Sequence, residues 1–224
     1  MPRFATFLLA IATFAAAPVA QAENARVVAS ASRWAPDAID AHGPFQVTAD
    51  GRAVLVGATD ARSPAQFAVM LAEHPQIAQL DLVEAPGTYD DVANLQLGHM
   101  IRAAGLATHV PANGQVRSGA VELFLAGTTR SIAEGARFAV HAWMDEDGLQ
   151  ANDYPDHAPE HAKYLDFYRA MGFTPDRARS FYAMTNRVPH GEAQWLDAAE
   201  MRGWLGIEER VAPRLAFAPA FAMP

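Results

Sequence analysis

The 224-residue chain carries 25 acidic residues, 17 basic residues and no cysteine, and its formal net charge is −8. Without cysteine, disulfide scaffolds, cysteine nucleophiles and thiolate metal sites are excluded. Because the basic residues are few and scattered, we expect neither nucleic acid nor an anionic membrane surface as a partner.

The first 22 residues have the three regions of a secretory signal peptide. Arg3 precedes an apolar run over residues 4–19, and Ala20-Gln21-Ala22 matches a small-residue cleavage site. The apolar run is too short for a comfortable bilayer span. We therefore predict cleavage after Ala22, export to the periplasm or the medium, and a mature chain without a membrane span. The remaining chain is long enough for one domain with a sizeable core.

The mature chain begins with residues 23–52, which show no clear period and contain Pro36 and Pro44, so we predict an irregular or partly extended N-terminal segment. After it, strand-like and helix-like stretches alternate. The predicted strands are 53–57, 78–84, 106–110 and 137–142, and the predicted helices between them are 63–73, 89–104 and 118–126. Parallel strands need crossover connections, which helices supply. The alternation therefore predicts an α/β domain, over residues 53–212, with a parallel sheet.

The composition changes after the fourth predicted strand. Residues 144–159 are polar, acidic and rich in turn residues, which predicts a long loop of the kind that often carries function. Capping signals predict helices at 160–171, 176–184 and 197–204. Residues 213–224 are rich in proline and alanine, and we predict a loosely held tail.

Two predicted strand ends and one predicted helix start carry residue types that suit acyl transfer. Gly87 follows the second strand, Ser118 opens a helix, and His141 lies near the end of the next strand. Because the carboxyl ends of parallel strands gather along one edge, we expect these residues to meet there. The amides of Gly87 or Thr88 and of Gly119 would then form an oxyanion hole. The alternative is that Ser118 only caps a helix and His141 is a core histidine.

Residues 80–87 (LDLVEAPG), 105–110 (GLATHV) and 117–127 (RSGAVELFLAG), followed by Arg130 and Val140-His141, resemble the Clp protease proteolytic subunit and the exported, periplasmic branch of the crotonase superfamily. The resemblance implies a single α/β domain built as a spiral of β-α-β units, and self-association into a homo-oligomer. It also implies a Ser118–His141 pair that hydrolyses a peptide or ester substrate without a metal or organic cofactor. The matching glycine turn of that family ends at Gly87.

The acidic member of the family's triad has no clear counterpart in this chain. Glu192 and Asn186 are the nearest polar residues in the corresponding region, and Asp153 and Asp156 in the acidic loop are further candidates. An amide can orient an imidazole as a carboxylate does. A second hypothesis follows, in which the chain is a non-catalytic binding or assembly module of the cell envelope on the same scaffold.

A minor alternative is a zinc peptidase. His157, Glu160 and His161 satisfy His-x-x-Glu-His, in which two histidines one helical turn apart bind Zn²⁺ and the glutamate acts as base. Pro159 lies inside the motif and favours a helix start there, where the geometry suits a rigid ligand pair poorly. We therefore expect no metal at this site.

Overall fold

The computed structural model of the protein describes residue 35 and residues 37–207, so the predicted signal peptide and the predicted loose tail lie outside the described residues. The strands are β1 (Ala38–His42), β2 (Phe45–Thr48), β3 (Ala53–Val56), β4 (Gln79–Ala85), β5 (Ala107–Val110), β6 (Gln115–Arg117), β7 (Arg130–Ile132), β8 (Arg137–Val140) and β9 (Gln194–Asp197). The helices are α1 (Ser63–Glu73), α2 (Asp91–Ala103), α3 (Ala120–Leu125), α4 (Pro159–Ala170), α5 (Pro175–Thr185) and α6 (Ala198–Leu205). A short 3₁₀ turn, Ala151–Asp153, precedes α4.

All of these strands belong to one sheet, whose main path is β1-β2-β3-β4-β6-β8-β9. The central pairs β3–β4, β4–β6 and β6–β8 are parallel, while β1–β2, β2–β3 and β8–β9 are antiparallel. The predicted α/β class is confirmed, but the sheet is mixed rather than wholly parallel. The spiral arrangement implied by the resemblance stays a prediction.

Strand β4 pairs with two different strands along its length, and this split positions the site. Its first residues pair with β5, through Leu80 and Thr108, and its last residues pair with β6, through Ala85 and Val116. Strand β5 then pairs with β7 and leaves the main path. As a result β6 lies directly between β4 and β8, and the three strands end side by side.

The segment predicted to be irregular or partly extended contains a β-hairpin in its described part. Strands β1 and β2 pair in antiparallel fashion around Gly43, which has a φ of +62°. All four residues of β2 are buried. The sequence showed no alternation here because a strand buried on both faces has none, and Pro44 immediately before β2 obscured it further.

Helices α2, α3, α4 and α5 all contribute side chains to the main apolar core. Helix α4 lies so close to α2 that a Cβ atom at Gly98 would come within 2.6 Å of the Phe167 ring. Phe167, Tyr168 and Phe181 are almost fully buried and form edge-to-face ring contacts. None of the helices in the described residues has the length and apolar character to cross a bilayer.

Candidate active site

The structure brings Gly87, Ser118 and His141 to the same edge of the sheet. Residue Ala85 of β4 pairs with β6, and Arg117 of β6 pairs with Ala139 of β8. Gly87 follows β4 by two residues, and Ser118 and His141 directly follow β6 and β8. Ser118 and His141 both line one cleft. The topology therefore produces the convergence that the alternating pattern predicted.

Ser118 has a left-handed backbone, with a φ of +49°. Such a conformation costs a non-glycine residue about 1–3 kcal/mol, and residues of this kind cluster at functional sites. Two backbone hydrogen bonds hold it: the Ser118 N–H donates to Ala139 O at 2.9 Å, and the Ser118 carbonyl accepts from Val121 N at 2.9 Å. The chain therefore turns sharply from β6 into α3, as it does at nucleophiles on strand-to-helix turns.

Backbone N–H groups beside Ser118 are free to bind an oxyanion. Within the described residues, the amides of Gly87, Thr88 and Gly119 donate no hydrogen bond. The loops approach each other closely, since a Cβ at Gly87 would lie 2.9 Å from the Ser118 Cβ and one at Gly119 would lie 2.7 Å from Thr88 Cγ2. Gly87 also has a φ of +128°, so this position requires glycine. A side chain at Gly119 would force the Thr88 and Asn94 side chains to move.

A buried polar network fixes the two glycine loops. Asn94 on α2 donates from Nδ2 to the Gly119 carbonyl at 2.7 Å, and its Oδ1 accepts from the Thr59 hydroxyl at 2.9 Å. The Thr59 N–H in turn donates to the Gly87 carbonyl at 3.0 Å. Asn94 and Thr59 are only 2% and 1% exposed. Neither residue was predicted from the sequence, although a polar Asn94 on the apolar face of α2 was a usable signal.

The His141 ring is oriented by the main chain. Its Nδ1 lies 2.9 Å from Ala142 O, and since a carbonyl only accepts, Nδ1 carries the hydrogen and Nε2 keeps a lone pair. The His190 Nδ1 donates to the same carbonyl at 3.1 Å, and the two rings meet edge to face at 4.6 Å. Within the described residues, no hydrogen bond joins Ser118 to His141.

None of the four candidates for a third catalytic member hydrogen-bonds His141. Asn186 lines the cleft, but its Oδ1 accepts from the Trp143 N–H and its Nδ2 donates to Tyr182 O. The three acidic candidates are exposed and lie outside the cleft lining: Asp153, Asp156 and Glu192. The place of the acidic member at Nδ1 is taken by the Ala142 carbonyl.

The cleft has a volume of about 610 Å³ and a negative lining. Tyrosines from α4 and α5 form one wall: Tyr164, Tyr168 and Tyr182. The acidic residues that line it are Asp90, Asp91, Glu122, Asp145 and Glu146, and Lys163 contributes an ammonium group. Tyr89 and Val92 are strongly exposed at its lining, 86% and 70% respectively. The cleft is therefore large enough for a small ligand or a peptide side chain and has an exposed apolar margin.

Glu122 is a buried acid one helical turn after Ser118. Burial raises the pKa of its carboxyl group to about 7, even though the Tyr168 hydroxyl donates to Oε1 at 2.7 Å and favours the ionised form. A carboxyl with this pKa exchanges a proton near neutral pH. Glu122 was not among the residues predicted to be functional, because in the sequence it is a single polar residue within a short apolar helix.

The His-x-x-Glu-His motif does not form the ligand pair that a zinc peptidase needs. Helix α4 begins at Pro159, so the exposed His157 precedes it, while His161 is buried with Nδ1 2.7 Å from the Tyr182 hydroxyl. Among residues 37–207, His157, Glu160 and His161 form no group of potential ligands whose atoms lie within 4.8 Å of one another.

The chain matches no protein-family model and no curated protein. Among solved structures, it is similar to a mutant of the 1510-N membrane-bound stomatin-specific protease in complex with a substrate peptide, with 14% sequence identity and a TM-score of 0.47. The similarity covers 70% of this chain and 71% of that chain. At this level the similarity assigns no function to the chain.

Proposed function

We propose that the protein is a serine hydrolase of the peptidase or esterase type, with Ser118 as nucleophile and His141 as general base. The observation that carries the proposal is the left-handed Ser118 at a strand-to-helix turn, beside three free backbone amides, in the cleft that His141 also lines. Strain, free donors and a base of the correct tautomer are each common, but together they match the requirements of acyl transfer.

The proposed reaction has two steps. The Ser118 Oγ attacks the substrate carbonyl while His141 Nε2 takes the hydroxyl proton, and the amides of Gly87 or Thr88 and of Gly119 donate to the oxyanion. The intermediate collapses to an acyl-enzyme as His141 returns the proton to the leaving amine or alcohol. Water then attacks the acyl group with His141 again as base, which releases the acid and restores Ser118.

In this mechanism the Ala142 carbonyl selects the His141 tautomer. A carbonyl holds the Nδ1 hydrogen as a carboxylate would, but it carries no full negative charge to stabilise the imidazolium that forms. We therefore expect slower turnover than a complete triad gives. We further propose that the protein acts after export and as a homo-oligomer, on the basis of its signal-like N-terminus and the family resemblance.

Labelling with a fluorophosphonate tests the proposal. We expect an adduct on Ser118 that is lost in Ser118→Ala and strongly reduced in His141→Ala. Ser131→Ala is a matched control, because Ser131 also contacts a histidine, His109 Nδ1 at 2.7 Å, but lies outside the cleft. A Ser131→Ala protein should label like the wild type. No adduct on folded wild-type protein would contradict the hydrolase proposal.

A second candidate function is a non-catalytic binding module of the cell envelope. Two observations favour it: among residues 37–207, no carboxylate forms a hydrogen bond or ion pair with His141, and Ser118 and His141 are not hydrogen-bonded to each other. Under this proposal the cleft binds a ligand without chemistry. Absence of labelling, combined with saturable binding of peptides that Ser118→Ala leaves unchanged, would support it over the hydrolase.

A further inference from the structure

Four side chains with metal-ligand chemistry meet at the edge of the sheet, and none of them lines the cleft. Asp40 and His42 lie two residues apart on β1, so they face the same side of the strand. Glu73 is the last residue of α1, and His74 caps that helix. One ligand atom from each of the four lies within 4.8 Å of the others.

The distances between these atoms suit a small cation. Asp40 Oδ2 lies 2.8 Å from His74 Nε2 and 3.1 Å from His42 Nε2, and His42 Nε2 lies 3.6 Å from Glu73 Oε2. A tetrahedral zinc ion with ligand bonds of about 2.0–2.2 Å separates its ligand atoms by about 3.3 Å. The observed distances lie on both sides of that value, so only small side-chain movements are needed to admit the ion.

The burial of the four residues is also compatible with a metal site. The side chains of His42 and His74 are only 10% and 17% exposed, whereas those of Asp40 and Glu73 are 40% and 58% exposed. Asp40 Oδ1 accepts the Ala41 N–H at 2.8 Å, which fixes the carboxylate and leaves Oδ2 toward the histidines. Two largely buried imidazoles thus converge on one carboxylate oxygen, with the solvent side left for entry.

We propose that Asp40, His42, Glu73 and His74 bind a divalent transition metal, for which Zn²⁺ is the best match. Two imidazoles favour zinc and its transition-metal neighbours over Mg²⁺ and Ca²⁺, which prefer oxygen ligands. Four protein ligands leave no open position, which is typical of a structural rather than a catalytic zinc. The ion would cross-link the β1–β2 hairpin to the end of α1.

No sequence motif points to this site, and no metal was expected from the sequence. Asp-x-His on a strand and Glu-His at a helix end lie about thirty residues apart and fit no short ligand motif. The ligands come together only because α1 packs back against the edge hairpin. The proposal is independent of the hydrolase, since the site and the cleft share no residue.

Zinc binding by the purified, chelator-treated protein tests this proposal. Isothermal titration with ZnCl₂ should show one site per chain, and Mg²⁺ should show none. With Zn²⁺ at a hundred times its Kd, the melting temperature should rise by about 5 °C or more. The His42→Ala/His74→Ala protein should bind zinc more than about 100-fold more weakly, because it loses two direct ligands.

His157→Ala is the matched control, because it removes an exposed histidine from the rival His-x-x-Glu-His motif. It should bind zinc like the wild type. If the double variant fails to fold, Glu73→Gln is the substitute, because Glu73 is the most exposed ligand. Loss of the visible absorption of tetrahedral Co²⁺ in that variant would likewise support metal binding at this site. Zinc binding that is absent in folded wild type, retained when His42 and His74 are removed, or lost in His157→Ala would overturn the proposal.

Discussion

We expect Glu122 to make the stability of the fold depend on pH. Its pKa is raised by burial from 4.5 to about 7, so the folded protein holds this proton more tightly than the unfolded chain does. The group therefore costs no stability below about pH 4.5, and its cost grows as pH rises until it is complete above about pH 7. A shift of this size corresponds to about 3 kcal/mol at high pH.

Glu122→Gln removes the ionisation while keeping the side-chain volume and an oxygen for the Tyr168 hydroxyl. We expect the free energy of unfolding of the variant, relative to wild type, to increase by about 2–3 kcal/mol between pH 5 and pH 8. Urea denaturation followed by tryptophan fluorescence at both pH values measures it. Glu192→Gln, at an exposed position, is the control and should show no such change. Parallel pH profiles for wild type and Glu122→Gln would refute the reasoning.

Two further substitutions test the loops beside Ser118. Asn94→Ala leaves the Gly119 carbonyl and the Thr59 hydroxyl without their partner, so we expect a loss of about 1–3 kcal/mol in urea denaturation and slower fluorophosphonate labelling; an unchanged labelling rate would argue against a positioning role for Asn94. Gly87→Ala places a Cβ 2.9 Å from the Ser118 Cβ, and we expect labelling to fall about 100-fold in a protein with a native circular dichroism spectrum. Wild-type labelling of Gly87→Ala would show that this loop does not contact the oxyanion.

Helix positions were largely predictable from the sequence because their end signals are local. Asp197 and Glu200 form the predicted capping box at the start of α6, and Thr174 caps α5 immediately before Pro175. The short strands β6, β7 and β9 were missed, since three or four residues are too few to establish a period. These short strands form by pairing with strands that are distant in the sequence, and the local sequence does not show which strands those are.

In the candidate site, too, features with local sequence signals were predictable and features that depend on distant residues were not. The meeting of Gly87 and His141 at one sheet edge was predictable because each lies at or just after the end of a predicted strand, and the carboxyl ends of parallel strands are adjacent. Ser118 was placed there only from its predicted position at a helix start, because β6 was not predicted. Asn94 and Glu122 were not predictable, because what distinguishes them is burial against residues far away in the chain. The partner of His141 was the least accessible to sequence reasoning, since a backbone carbonyl has no residue type to recognise.

The Ala142 carbonyl, which accepts the hydrogen bond from His141, is oriented by the backbone hydrogen bonds of its segment. The Ala142 N–H donates to Val188 O at 2.9 Å, so the segment after β8 is tied to the chain that leads into β9. The Ala142 carbonyl accepts hydrogen bonds from the Nδ1 atoms of both His141 and His190. Orientation of the His141 imidazole therefore needs no acidic side chain here. In the proposed mechanism, the main chain supplies no full negative charge beside the His141 imidazolium. Fluorophosphonate labelling requires only an activated Ser118, so it tests the proposed nucleophile more directly than turnover of a substrate does.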